Sequence, residues 1–230
     1  SLAALRDTTD ERLVAHCRAV SEVLPLFGFY LQPAVGGRPL GYRFWRMLAE
    51  QVPALAAIKI APFDRYRTID VVRAVADAGR VDVALYTGND DAIVADLVTP
   101  WPTEAGTMRI VGGLLGQWAV WTHRAVELLD EVKRLRQGDA PAVPASLLRT
   151  GAALTDANAA IFDAANGFHG CIPGIHEVLR RQGLLAHVRT LDARETLSPG
   201  QAEEIARVSA AHPELTDDDF VAGHLDEWMS

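Results

Sequence analysis

Apolar segments recur along the first half of this chain at a nearly constant interval. Lys59 follows Tyr30 by 29 residues, Gly88 follows Lys59 by another 29, and Gly112 comes 24 later. The stretches between them are amphipathic and long enough for helices. Strands separated by helices run parallel, because no tight hairpin can join them, and their crossovers are right-handed. Strands covered on both faces read as near-continuous apolar runs. LFGFYLQ, AAIKI, VALYT and RIVGGL all have that character. The spacing therefore predicts an α/β region with four parallel strands.

The helix signals agree with this order. Thr8 or Thr9 can cap a helix whose apolar face is Leu13, Cys17, Val20 and Leu24, ended by Pro25. Tyr42 to Gln51 reads as a helix ended by Pro53. Thr68 can cap another, with Ile69, Val72, Val75 and Ala76 inward and Gly79 just past its end. A fourth starts at Asp90 or Asp91, and a fifth runs from about Trp118 to Arg136. Leu2 to Leu5 reads as the tail of a further strand. A closed (β/α) barrel needs eight strands and roughly 250 residues. Four strands make half of one, and an open sheet has two edges.

After Arg136 the chain changes character. Gln137 to Ala145 is rich in small residues and reads as a linker. Beyond it only helical patterns occur, over Ser146–Ala165, Ile175–Gln182, Pro199–Ala211 and Asp217–Trp228. Ser198 before Pro199 is an N-cap signal with proline at the first helical position. The expected organisation is a (β/α) half-barrel over 1–136, a linker over 137–145, and a C-terminal α-helical subdomain over 146–230.

Composition excludes several classes. Lys and Arg number 22 against 30 Asp and Glu, a net charge of −8. A nucleic-acid binder needs a basic face to neutralise phosphates, so none is expected as a partner. No apolar run approaches the ~20 residues that span a bilayer, so no membrane partner is expected. Two cysteines, Cys17 and Cys171, cannot build a disulfide framework, which points to a reducing, cytoplasmic setting. His169, Cys171 and His176 are zinc-type ligands, but no regularly spaced fourth accompanies them, so no metal is expected.

Lys59 is the first candidate for chemistry. Strand side chains alternate in direction, so Ile58 and Ile60 share one face while Ala57, Lys59 and Ala61 share the other. The small neighbours leave room for a ligand beside the amine. Lysines desolvated in such places have documented pKa values of about 5–6. A neutral amine can attack a carbonyl and form a Schiff base. The alternative is a strand-end lysine whose ammonium reaches solvent. Tyr30 is the second candidate. Parity puts Leu26, Gly28, Tyr30 and Gln32 on one face, and a phenol near the C-terminal end of a parallel strand could relay protons. Its alternative is a packed ring whose hydroxyl finds one partner. Gly88 in TGNDD can let the backbone approach a ligand. Asp90 there faces a substrate or caps the next helix. The glycine pair in RIVGGLLG can admit an anion or simply turn the chain.

Taken together, these segments resemble the dihydrodipicolinate synthase/N-acetylneuraminate lyase family of Schiff-base-forming aldolases and dehydratases. LPLFGFYLQP is similar to the Y-x-x-P strand five of that family, with Tyr30 and Pro33 matching and one extra residue between Pro25 and the tyrosine. IKIAP resembles the strand holding the Schiff-base lysine, at Lys59. TGNDD is similar to the G-x-D segment, at Gly88 and Asp90, and RIVGGLLG to the glycine-containing strand eight. IFDAANGFHGCIPGIHEVLRRQGLL resembles the helical tail. The likeness covers nearly the whole chain, in the right order. The GxxGE-like carboxylate loop is absent, and the arginine usual after strand five is replaced by AVGG, with Arg38 displaced nearby.

The resemblance implies a partial (β/α)8 barrel, about strands 5–8, with a helical tail. It implies a lyase or dehydratase acting on pyruvate or another 2-oxo acid, with or without an aldehyde, in a homo-oligomer. Lys59 and Tyr30 would be catalytic, while Gly88, Asp90, Gly113 and Arg38 would contact substrate. No cofactor is implied. Under this reading the chain alone is expected to be catalytically incomplete. The rivals are an incomplete fragment serving as a binding or assembly module, and an α/β enzyme whose Lys59 only holds an anion.

Overall fold

The computed structural model describes residues 2–5, 7–104, 106–114, 116–137 and 142–230. The chain divides into two compact units, Ser1–Asn89 with Ala95–Leu114, and Asp90–Val94 with Leu115–Ser230. Four residues of the expected linker, 138–141, lie outside the described residues.

The first unit begins with α1 (Asp10–Ser21), capped by the Thr9 hydroxyl, which accepts from Arg12 N. Leu13, Val14 and Cys17 are buried, but Val20 and Leu24 are exposed, so the apolar face ends a turn early. Then come β1 (Leu26–Leu31), α2 (Tyr42–Gln51), β2 (Leu55–Ala61), α3 (Arg65–Asp77) and β3 (Ala84–Thr87). The segment Leu2–Ala4 is a 3-10 turn rather than a strand tail. The cap of α3 is Asp64, whose carboxylate accepts from Tyr66 N and Arg67 N. The expected cap Thr68 lies inside the helix, where its hydroxyl donates to Asp64 O. A short α4 (Ile93–Val98) follows. The strands β4 (Trp101–Thr103) and β5 (Gly106–Met108) then pair as an antiparallel hairpin that the apolar periodicity did not show. Segments of three residues are too short to carry a period. The last strand is β6 (Ile110–Gly113).

The main sheet has strand order β1-β2-β3-β6, with every pairing parallel. Its helix-packed face carries Tyr30, Ile58, Ile60, Leu85 and Ile110, all at most 1% exposed. Phe44, Trp45 and Leu48 of α2 and Val71, Val72 and Val75 of α3 are buried with them. Ile58 and Ile60 thus share one face, as the alternation along the strand predicts. At the N-terminal end of β2, Arg80 donates to the carbonyls of Ala49, Val52, Pro53 and Leu55 at 2.9–3.2 Å. That one guanidinium satisfies the carbonyls left over where α2 ends and β2 begins.

The second unit is helical. It contains α5 (Thr122–Arg136), α6 (Ala145–Ile161), α7 (Cys171–Arg181), α8 (Gln201–Ala211) and α9 (Asp218–Trp228). Helix α5 is thus compact with the C-terminal helices rather than with the sheet. The Asp217 carboxylate accepts from His123 N at 2.7 Å and Arg124 N at 3.0 Å, capping α5 from the far end of the sequence. Asp163, in left-handed backbone at φ 58°, is the polar centre of the unit. Its carboxylate accepts from Asn166 Nδ2, Gly170 N and Ser198 Oγ. Ser198 is therefore spent on Asp163, and the residue that starts α8 is Gly200 in left-handed backbone.

Candidate active site

The open face of the sheet is the opposite of its helix-packed face in content. Phe29 pairs in register with Lys59, and Lys59 with Tyr86, while Tyr86 pairs with Gly112. Residues paired in a parallel sheet present the same face, and residues two apart on a strand do likewise. Phe27, Phe29, Ala57, Lys59, Ala61, Tyr86 and Gly112 therefore share one surface. Phe27 is 52% exposed and Phe29 48%. Lys59 is half-buried, with its Nζ 4.3 Å from the centroid of the Phe29 ring. The rings of Phe27 and Tyr86 meet at 5.5 Å.

Gly88 belongs to this surface. A Cβ there would lie 2.7 Å from Ala61 Cβ and 2.8 Å from Lys59 Cε. Only glycine lets the Lys59 stem pass. Gly88 N also donates to Ile60 O at 2.7 Å, extending the sheet past the end of β3. Gly112 plays the same part under Tyr86, whose ring would come within 3.1 Å of a Cβ there. Of the glycine pair, the sequence singled out Gly113. That residue is in register with Thr87 on the helix-packed side, so Gly112 is the glycine of the Lys59 face.

Tyr30 is not brought to Lys59. It pairs in register with Ile60 and is fully buried on the helix side. Its hydroxyl accepts from Leu40 N and from Arg67, both at 3.1 Å, and its ring packs on Trp45. The phenol holds the loop after β1 to α3. To act together Lys59 and Tyr30 would have to share a face, and they do not, because the two strands align one residue out of that phase. A bulge between Leu26 and Phe27 sets that alignment.

Arg38 donates to the carbonyls of Leu5 and Thr8, and so ties down the N-terminal segment. It lines an apolar cavity of about 290 Å³ beside β1, with His16, Cys17, Phe29 and Trp45. Asp90 belongs to the second unit, where its main-chain carbonyl accepts from Asn158 Nδ2 at 2.9 Å. Cys171, in the second unit, has its thiol pushed up to about 11 by burial and by the charges of Asp90, Glu195 and Asp163. That is the opposite of a thiolate ligand or nucleophile. Among the described residues no three His, Cys, Asp or Glu side chains form a group able to hold a metal ion.

Sequence reasoning passed over Phe29 and Asn89. Phe29 carried no cue, because the register between β1 and β2 decides which face of β1 meets Lys59, and a one-residue slip exchanges the two faces. Asn89 was visible only as part of TGNDD, with no periodic cue to its burial.

No protein-family model and no curated protein sequence matches this chain. Solved structures do. A monomeric dihydrodipicolinate synthase variant superimposes with TM-score 0.67 at 19% identity, over 91% of this chain and 63% of that one. Dihydrodipicolinate synthase from Thermotoga maritima gives 0.64 at 19% identity, over 90% and 63%. A variant of 2-keto-3-deoxygluconate aldolase from Sulfolobus solfataricus gives 0.60 at 12%, over 90% and 61%. The fold is that of a partial dihydrodipicolinate synthase barrel. The chain spans somewhat over three fifths of the length of the structures it matches, as four parallel strands with their helices and a helical C-terminal region. Among the described residues no helix is long and apolar enough to cross a membrane.

Proposed function

We propose that Lys59 is a Schiff-base nucleophile and that the chain belongs to a lyase, aldolase or dehydratase acting on pyruvate or another 2-oxo acid. The observation that carries the reading is the fit of Lys59 and Gly88. A lysine stands on the open face of a parallel sheet, near its C-terminal end, and its stem passes where only a glycine leaves room. The C-terminal ends of parallel strands are where such folds place their chemistry. The shared fold with dihydrodipicolinate synthase and 2-keto-3-deoxygluconate aldolase supports the same reading.

In this reading the neutral Lys59 amine adds to the 2-oxo carbon, and loss of water gives the imine. The imine draws electrons from C3, so that a C3 proton or carbon–carbon bond can break or form, and water then returns the amine. Phe29, Ala61 and Gly88 wall the amine with apolar groups. The reading gives Tyr30 no proton transfer with Lys59, because its hydroxyl lies on the other face. It gives Gly113 no contact with the substrate, because that glycine lies on the helix-packed side, and assigns Arg38 to anchoring. It requires no metal or dissociable cofactor, and takes the protein to be a cytoplasmic homo-oligomer acting on a 2-oxo acid with or without an aldehyde as second substrate or product.

The ring contact of Lys59 favours a second reading. An ammonium over an aromatic face is a stable charged arrangement, so Lys59 could act only as a charge that holds an anion. Borohydride separates the two. The chain is incubated with pyruvate and sodium borohydride, digested, and examined by mass spectrometry. Reduced pyruvate on Lys59, absent without pyruvate, supports the imine. Saturable anion binding with no adduct would leave the charge-only reading standing.

A further inference from the structure

The C-terminal ends of β2 and β3 are joined by one buried side chain, that of Asn89, which is 2% exposed. Its Oδ1 accepts from Phe63 N at 3.1 Å. Its Nδ2 donates to Thr68 Oγ1 at 3.0 Å and to Asp96 Oδ2 at 2.9 Å. Its own N–H donates to Thr87 Oγ1 at 3.1 Å. Asp96 is fully buried; it also accepts from Thr87 Oγ1 at 2.6 Å and pairs with Arg65. Buried networks of this kind rigidify when every member is satisfied, and they lose much when one is removed.

Two features tie this network to Lys59. Phe63 lies just beyond the lysine's own strand, with φ at 52°, a conformation that side-chain-bearing residues seldom adopt. Such strain persists only where surroundings impose it, and Asn89 Oδ1 on Phe63 N is one such constraint. On the other side, Asn89 directly follows Gly88, the residue packed on the Lys59 stem. One residue thus ties the turn after the lysine's strand, through its side chain, to the glycine beside the lysine, which it follows in the chain. Asn89 itself faces away from the open surface, among α3 and α4 side chains.

We propose that Asn89 is a positioning residue for Lys59, fixing the gap between Gly88 and the end of β2 in which the amine is presented. The inference rests on the reading of Lys59 as nucleophile. Near-attack placement is where catalysts gain most from rigidity, and small displacements of a reacting group cost large factors in rate.

The test compares Asn89→Ala with Arg80→Ala in the 230-residue chain. Arg80 secures the opposite end of β2, so its loss loosens the same strand without touching the network. Both are studied at a temperature where circular dichroism shows them folded. The first readout is the rate of borohydride-trapped pyruvate adduct on Lys59. Asn89→Ala should slow it at least tenfold, and Arg80→Ala less than twofold. The second readout is amide hydrogen exchange at Gly88 and Phe63, which should accelerate at least a hundredfold in Asn89→Ala only. Unchanged trapping in Asn89→Ala, or equal slowing in Arg80→Ala, would overturn the inference. If the wild-type chain forms no adduct with Lys59, the nucleophile reading falls. The positioning role is then decided by exchange alone, and protection at Gly88 and Phe63 unchanged by Asn89→Ala sinks it.

Discussion

The two faces of the four-stranded sheet use the same strands for opposite ends. The helix-packed face is closed, with Tyr30, Ile58, Ile60, Leu85 and Ile110 essentially without exposure. The open face carries Phe27 and Phe29 at about half exposure, together with a half-buried lysine and glycines placed for clearance. Burial is concentrated on the first face, and the proposed chemistry belongs to the second. The difference teaches that burial marks what a side chain does for the fold, and that a lysine flanked by small residues is informative only on the face left open.

The largest expected effect lies on the open face. Lys59→Met should abolish the trapped pyruvate adduct while leaving the thermal transition within a few degrees of wild type, measured by mass spectrometry and circular dichroism. A collapse in stability instead would mean that Lys59 serves the fold and would break the contrast. Next comes Ile60→Ala on the closed face, which should cost about 2–5 kcal/mol by denaturant titration. Phe29→Ala on the open face should cost under about 1 kcal/mol, because half its ring is already in water. Equal losses at the two positions would show that the open face is covered in solution.

Tyr30→Phe probes the same comparison more finely. Its hydroxyl accepts from Leu40 N and Arg67, so removing it should cost about 1–3 kcal/mol for the donors left behind. The rate of adduct formation at Lys59 should stay within twofold. A large loss of rate with the fold intact would restore the phenol to the chemistry. The smallest effect concerns acid. Asp156 is held down to about 2, first by its hydrogen bond from Arg207 and then by that from His212. A carboxyl depressed in the folded state contributes stability that is present above its ordinary value near 4 and lost as pH falls toward 2. Screening of this partly exposed pair keeps the term small. Asp156→Asn should therefore flatten the acid limb of the second unit's stability slightly and leave Lys59 adduct formation unchanged at pH 7.

Much of the fold was legible in the chain itself. The strand–helix alternation, the proline and glycine stops, and the placement of β1, β2, β3 and β6 follow from apolar runs and breakers. The β4–β5 hairpin was not legible, because three-residue strands have no period to detect. The cap of α3 was misplaced at Thr68 because two capping residues lie within five positions, and only the packed helix decides which one is used. Of the site, Lys59 and Gly88 were readable as a lysine between alanines and a glycine at a strand end. Asn89 was not, since its importance lies in partners on α3 and α4.

Within each strand the sequence by itself determined which residues share a face: Ile58 with Ile60, Lys59 with Ala57 and Ala61, Tyr30 with Gly28. Only the tertiary structure decided which of those faces meet across strands. Alternation is a local property of the extended backbone, whereas register is set by packing and by a bulge such as that between Leu26 and Phe27. A slip of one residue exchanges the two faces of a whole strand, and so Phe29 rather than Tyr30 stands beside Lys59.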